Sequence, residues 1–114
     1  MANGERGEIE IELGGTVYLL VPSNKAFCEI EDKLNCSILE VFERYQEKKP
    51  RFKDMAAIFW ACSKDMTFDM AGELVRKYGM GEFSLPCLQV ISKALTGENK
   101  KKVDEAQQSQ ESPG

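Results

Sequence analysis

The sequence predicts an α+β fold, in which an N-terminal β-hairpin precedes four to five short packed α-helices and a disordered polar tail. Three patterns predict it: apolar and charged residues alternate strictly before a Gly-Gly pair, apolar stripes with helical spacing follow, and apolar residues become rare after Gly97. A chain of 114 residues is long enough for one domain and too short for two. We therefore expect a single α+β domain over residues 8–97.

The hairpin is expected over residues 8–21. The segment EIEIEL alternates with the period of a half-buried strand, and TVYLLV, rich in β-branched and aromatic residues, follows Gly14-Gly15. The turn length decides which apolar residues of the second strand share a face with those of the first, and the sequence leaves it open. These residues are Tyr18 and Leu20 for a two-residue turn, and Val17, Leu19 and Val21 for a three-residue turn.

Five helices are expected after the hairpin, each with apolar residues three and four positions apart. The first is capped by Ser23 or Asn24 and stops at Asn35, a residue type that tolerates a left-handed conformation. Ser37, followed three residues later by Glu40, forms a capping-box pattern at the start of the second helix. The expected ranges are 24–34, 38–48, 52–64, 67–78 and 84–96.

Start and stop signals also mark the last two helices. Asp65 or Thr67 can cap the fourth helix, and Gly79 stops it. After a short connector, Ser84 is expected to cap the last helix, with Pro86 in its first turn. The side chains expected to face the core are Phe27, Ile30, Leu34, Ile38, Val41, Phe42, Tyr45, Met55, Ile58, Phe59, Cys62, Ala71, Leu74, Val75, Tyr78, Leu88, Ile91 and Leu95.

Both ends of the chain are expected to be flexible. Residues 1–7 are polar, and residues 98–114 are dominated by Gln, Ser, Glu and Lys, a composition that cannot bury a core. The lysines at 100–102 are expected to be a solvated part of this tail. Removal of everything after Gly97 should therefore leave the melting temperature nearly unchanged.

Composition argues against two classes of partner. The chain has 15 basic and 19 acidic residues, giving a net charge of −4, so we do not expect it to bind nucleic acid. No apolar run approaches the ~20 residues that span a bilayer, and the polar N-terminus does not resemble a signal peptide. We expect a cytoplasmic protein that does not associate with membranes.

The residues that common catalytic mechanisms require are missing, so we expect a protein without enzymatic activity and without a cofactor. The chain has no histidine, which excludes Ser-His-Asp and Cys-His catalysis, and it has no phosphate-binding loop or dinucleotide-binding motif. Its four cysteines, at 28, 36, 62 and 87, lack the spacing of metal ligands. We expect buried, reduced thiols and no bound metal.

Candidate protein-binding residues come from the hairpin and from two helices. In either register, apolar residues of the second strand remain on the face that carries Glu10 and Glu12, and an isolated ribbon leaves its outer edges unpaired. Such a surface predicts self-association by strand pairing or binding of a partner segment, unless a helix packs over it. Trp60 and Phe68 fit their helical stripes less well. The candidates are Val17, Tyr18, Leu19, Leu20, Trp60 and Phe68.

The order of these patterns resembles the gene-transfer-agent family of phage tail proteins, which is grouped with the tail assembly chaperones of long-tailed phages. The resemblance covers most of the chain, from Arg6 to Leu95. The segments that carry it are RGEIEI at 6–11, GGTVYLL at 14–20, AFCEIEDKL at 26–34, SILEVFER at 37–44 and FKDMAAIFWA at 52–61.

This resemblance implies a non-enzymatic protein of a phage or prophage-like element, acting in the host cytoplasm. It would bind the long helical tape-measure protein, or another tail protein, before tail subunits polymerise around it. The resemblance implies no active-site residues. Two alternatives remain: a structural tail component retained in the particle, and a small regulatory or antitoxin-like binding protein.

Overall fold

The computed structural model describes residues 7–97, and this part of the chain contains a two-stranded antiparallel sheet and five helices. The elements are β1 (Ile9–Leu13), β2 (Thr16–Leu20), α1 (Asn24–Leu34), α2 (Ile38–Gln46), α3 (Phe52–Cys62), α4 (Phe68–Tyr78) and α5 (Met80–Thr96). The α+β class and the position of the hairpin before the helices are confirmed. Nearly all of the predicted flexible N-terminus and the whole predicted tail, residues 98–114, lie outside the described residues. Of the helices described between residues 7 and 97, none is long and apolar enough to cross a membrane.

The hairpin has a two-residue turn. Ile11 pairs with Tyr18, and Gly14 and Gly15 adopt the positive φ angles of 58° and 88° that such a turn requires. The first of the two registers left open by the sequence is therefore the observed one. The apolar side chains of β1 are buried together with Leu20.

Helix α3 is the centre of the core. Six consecutive residues of it, 54–59, are buried, and the helix contacts α1, α4, α5 and β2. The ring of Phe59 packs edge-on against Tyr18 on β2 and Phe83 on α5, with centroids 5.4 Å and 5.1 Å apart. Such aromatic pairs add to the stabilisation from burial.

The predicted capping residues act at three helix starts. Ser23, Ser37 and Thr67 each accept a hydrogen bond from the backbone N–H three residues later, at 3.1, 3.1 and 3.0 Å. Asn35 ends α1 in the left-handed conformation, with a φ of 56°. These signals were sufficient because each cap is formed by residues close in sequence.

The predicted start of the last helix was wrong. Instead of a connector before Ser84, the chain continues into α5 directly after Gly79, so Pro86 lies inside the helix. An internal proline removes one backbone hydrogen bond. The reason is tertiary packing: the helical extension buries Phe83 in line with other core residues, and burial outweighs local propensity. The buried stripe is Phe83, Cys87, Val90 and Ile91, whereas Leu95 is 42% exposed.

A buried carboxylate joins α2 to α3. Asp54 is fully buried and accepts five hydrogen bonds, two from the Arg44 side chain at 2.8 and 2.9 Å, two from the Arg51 side chain at 3.0 and 3.1 Å, and one from the Arg51 backbone N–H at 2.9 Å. Burial pushes the pKa of Asp54 up, but the hydrogen bonds from the two arginines outweigh it and hold the pKa below its ordinary value. The carboxylate therefore stays charged.

Candidate functional site

The outer face of the hairpin carries an apolar stripe, here called the hairpin surface, formed by Val17, Leu19 and Val21. These side chains are 56%, 42% and 41% exposed. Across the ribbon, Glu12 pairs with Val17 and Glu10 with Leu19, so glutamates flank the stripe on one side. Two of the candidates from the sequence, Val17 and Leu19, therefore lie on the surface.

The other two hairpin candidates point toward the helices. Leu20 is fully buried in the core. Tyr18 is half-buried, because one side of its ring rests on Phe59 while the other side lines a shallow groove with Met70 and Leu74 of α4. The alternation of a strand places Tyr18 and Leu20 on the face opposite Val17 and Leu19. Of this pair, only Tyr18 lies near the surface.

A second surface feature is the trough between α3 and α4, here called the α3–α4 groove. The two helices are joined by the short loop at 63–67 and are in contact with each other. At the loop end, Trp60 of α3 packs against Phe68 of α4. The residues that line the groove itself are Phe52, Lys53, Ala56, Phe68, Asp69, Gly72, Glu73 and Arg76.

Of the remaining two candidates, Phe68 lines this groove and Trp60 packs against Phe68. Their rings meet at right angles with centroids 5.9 Å apart. The ammonium group of Lys33 on α1 lies 5.0 Å from the Trp60 ring centre and 4.6 Å from that of Phe68. These are cation–π distances, so Lys33 holds the two rings from α1 as well. Both rings are half-buried.

Sequence reasoning missed Gly72, which forms the floor of the groove together with Ala56. Gly72 lies in the middle of α4, and a Cβ atom built on it would meet nothing within 4 Å. A glycine inside a helix is unfavourable relative to alanine, and no internal contact explains this one. Its spacing of four residues from Phe68 was the only signal in the sequence, and that signal does not identify what lies above the glycine.

The cysteines are spread over the fold. Cys62 and Cys87 are buried as expected, whereas Cys36 is half-buried and Cys28 is exposed on α1, contrary to the expectation. Burial raises the pKa of Cys62 to about 12, so this thiol stays protonated near neutral pH. The absence of a metal ion and of a cofactor stays a prediction.

Comparison with protein families identifies the chain. Residues 6–97 match the family described as "Phage tail tube protein, GTA-gp10", which is most of the chain. The protein belongs to this family and is therefore a phage tail-related protein. Comparisons with curated proteins and with solved structures returned no match.

Proposed function

We propose that this member of the phage tail tube family is a non-enzymatic tail assembly chaperone that binds a helical segment of another tail protein in the α3–α4 groove. The observation that carries the proposal is Gly72, an otherwise unfavourable mid-helix glycine that keeps the floor of an apolar groove open. We infer that the partner is the tape-measure protein, bound in the host cytoplasm before tail subunits polymerise around it.

The side chains that line the groove suit the apolar face of a helix. An amphipathic helix binds by laying apolar side chains at positions i, i+3 or i+4, and i+7 into a groove. The α3–α4 groove offers Phe52 and Phe68 as apolar ends, with Ala56 and Gly72 as a low floor between them. A long apolar side chain of the partner would occupy the space above Gly72.

Charges at the rim would orient the partner. The groove is lined by the basic Lys53 and Arg76 and by the acidic Asp69 and Glu73, and Arg76 is already paired with Glu73 at 2.8 Å. Rim charges contribute mainly to orientation and to association rate. We expect a partner helix that presents an acidic residue to Lys53 and a basic residue to Asp69.

The chemistry of the proposed partner explains the need for a chaperone. A long helical protein exposes apolar surface before assembly, and contiguous exposed apolar surface promotes aggregation. This protein is small and has a net charge of −4, so it would cover part of that surface and add charge to the complex.

A structural tail component is the second candidate, because the description of the family names a tail tube protein. The two functions differ in where the protein ends up. A chaperone should be absent from purified particles, whereas a structural component should be present in fixed stoichiometry. Quantitative mass spectrometry of particles, with the major tail protein as the reference, separates them.

Co-expression with the tape-measure protein of the same element tests the groove. In Gly72→Met, the new side chain fills the groove, and methionine is also a better helix former than glycine. We expect this variant to fold and to lose co-purification of the tape-measure protein. Gly81→Met is the matched control, because Gly81 lies in the first turn of α5 and also has nothing within 4 Å of its Cβ position. Unchanged co-purification with Gly72→Met would refute the groove as the binding site.

A further inference from the structure

The ammonium group of Lys33 interacts with two aromatic rings instead of a carboxylate. It lies 4.6 Å from the ring centre of Phe68 and 5.0 Å from that of Trp60, and the two rings are perpendicular to each other. In the described part of the chain, Lys33 takes part in no ion pair, whereas Lys25 on the same helix pairs with Glu29 at 3.0 Å. The two rings are therefore the main partners of this positive charge.

This contact connects three helices. Lys33 lies in the last turn of α1, Trp60 in the last turn of α3, and Phe68 is the first residue of α4. The Lys33 side chain and both rings are half-buried, and a cation–π contact strengthens as its groups lose water. The Lys33 side chain therefore holds the start of α4 from a helix on the other side of α3.

The ring of Phe68 depends on such contacts for its orientation. Side chains of a helix lean back over the turn that precedes them, and no turn of α4 precedes Phe68, because it directly follows the N-cap residue Thr67. The same ring lines the α3–α4 groove. Its position in the groove is therefore set by Trp60 and Lys33, which contact it from α3 and α1.

We propose that Lys33 is a positioning residue for the α3–α4 groove: its cation fixes the Phe68 ring in the orientation that binds the partner helix, although Lys33 does not itself line the groove. This inference rests on the proposed function of the groove. A ring that is already held before binding loses less conformational freedom when a partner docks, so a preorganised surface binds more tightly. Loss of the cation should weaken binding without removal of any contact to the partner.

Three variants isolate the effect of the cation. Lys33→Gln removes the charge and has a similar helix propensity. Lys33→Arg keeps the charge, and its guanidinium group also stacks on aromatic rings, so it should restore the wild-type behaviour. Lys25→Gln is the matched control, because it removes the same charge from α1 at a position where the side chain is 83% exposed.

The free protein tests the positioning itself. Trp60 is the only tryptophan of the chain, so the tryptophan band in near-UV circular dichroism reports on this cluster. That signal depends on fixed packing of side chains. Lys33→Gln should reduce the band and leave the far-UV spectrum unchanged, whereas Lys33→Arg and Lys25→Gln should retain it. An unchanged band in Lys33→Gln would overturn the proposal, since the rings would then be fixed without the cation.

Competition for the co-expressed tape-measure protein tests the effect on binding. A tagged variant and untagged wild type are expressed together with it, and the share that the tagged variant retains gives the ratio of their affinities. We expect Lys33→Gln to bind about three- to tenfold more weakly than wild type, and Lys33→Arg and Lys25→Gln to stay within about twofold. Equal losses in Lys33→Gln and Lys25→Gln would overturn the proposal, because net charge would then be the cause.

Gly72→Met in the same assay separates this inference from the proposed function. If Gly72→Met loses the tape-measure protein while Lys33→Gln retains it as wild type does, the role of Lys33 is refuted and the groove remains the binding site. If Gly72→Met retains it as wild type does, the groove is refuted, and the role of Lys33 in binding is refuted with it.

Discussion

Substitution of Asp54 by asparagine replaces one carboxylate by an amide. We expect it to be among the most destabilising substitutions of this kind in the protein. Asparagine has nearly the same shape, but it carries no charge and its amide nitrogen cannot accept a hydrogen bond. In the native protein, Asp54 is fully buried and holds Arg44, whose side chain is 20% exposed, and Arg51, which is 49% exposed. The variant would leave Arg44 largely buried, with only the exposed Glu40 at 3.9 Å as a counter-charge.

The expected loss is about 3 kcal/mol, the lower end of the range for removal of one partner from a buried ion pair. The lower end applies because both arginines retain some access to water. Total stabilities of small domains are about 5–15 kcal/mol, so the variant should still fold but with a much lower urea midpoint. Replacement of the pair together, as Arg44→Met with Asp54→Leu, should cost less than Asp54→Asn, because no buried charge is left unpaired.

Urea unfolding followed by far-UV circular dichroism, with linear extrapolation, measures the difference in the free energy of unfolding. Asp32→Asn is the matched control: Asp32 is exposed on α1, and we expect a change within about 0.5 kcal/mol. A loss below about 1 kcal/mol for Asp54→Asn would refute the reasoning, since that is the size of an exposed ion pair.

The same variant predicts a pH dependence. The pKa of Asp54 is lowered by folding, so its contribution is fully present above the ordinary value of 3.8 and is lost as the pH falls through the folded-state pKa. The difference in the free energy of unfolding between wild type and Asp54→Asn should therefore be constant near neutral pH and shrink in acid. A difference that stays constant down to pH values at which wild type itself unfolds would contradict the assignment.

The packing of the side chains also predicts the results of two other substitutions and one labelling experiment. Gly72→Ala should raise the free energy of unfolding by about 0.5–1 kcal/mol, because the added Cβ has open space and alanine favours the helix; a lower urea midpoint would contradict this. Gly14→Ala should lower the urea midpoint, because φ is positive at this position and the added Cβ collides with the Tyr78 hydroxyl. The loss should be smaller in a Tyr78→Phe background, which lacks this hydroxyl. Equal losses in the two backgrounds would exclude the collision. In a thiol-labelling time course of the native protein, Cys28 should react quickly and Cys62 only on unfolding, and rapid labelling of Cys62 would show that the core opens.

The parts of the fold that were predictable depend on neighbours in sequence. Ser37 caps α2 because its hydroxyl reaches an N–H three residues later, and Asn35 stops α1 through its own backbone conformation. The start of α5 was not predictable in this way. It depends on the contact of Phe83 with Phe59, 24 positions away in sequence, which overrides the local signals of Ser84 and Pro86.

The candidate site was predictable in part for the same reason. Period-two alternation identified Val17 and Leu19 as one of two possible surface sets, but the choice between the sets needed the turn conformation. Trp60 and Phe68 stood out because they fit their stripes poorly, and they do meet each other. The groove that Phe68 lines is left open by Gly72, and the absence of a side chain leaves no pattern in a sequence.

The open edge and the apolar outer face of β2 arise from one choice of register. Because the two-residue turn places Leu20 in the core, it turns the side chains of Val17 and Leu19 to solvent and their backbone groups to the outer edge at the same time. A slip by one residue would bury both side chains and would also direct both sets of backbone groups toward β1. The core therefore requires these two positions to be exposed, but it does not require them to be apolar, since threonine also favours strands. Apolar residues at positions where the fold accepts polar ones are best explained by a contact outside the chain.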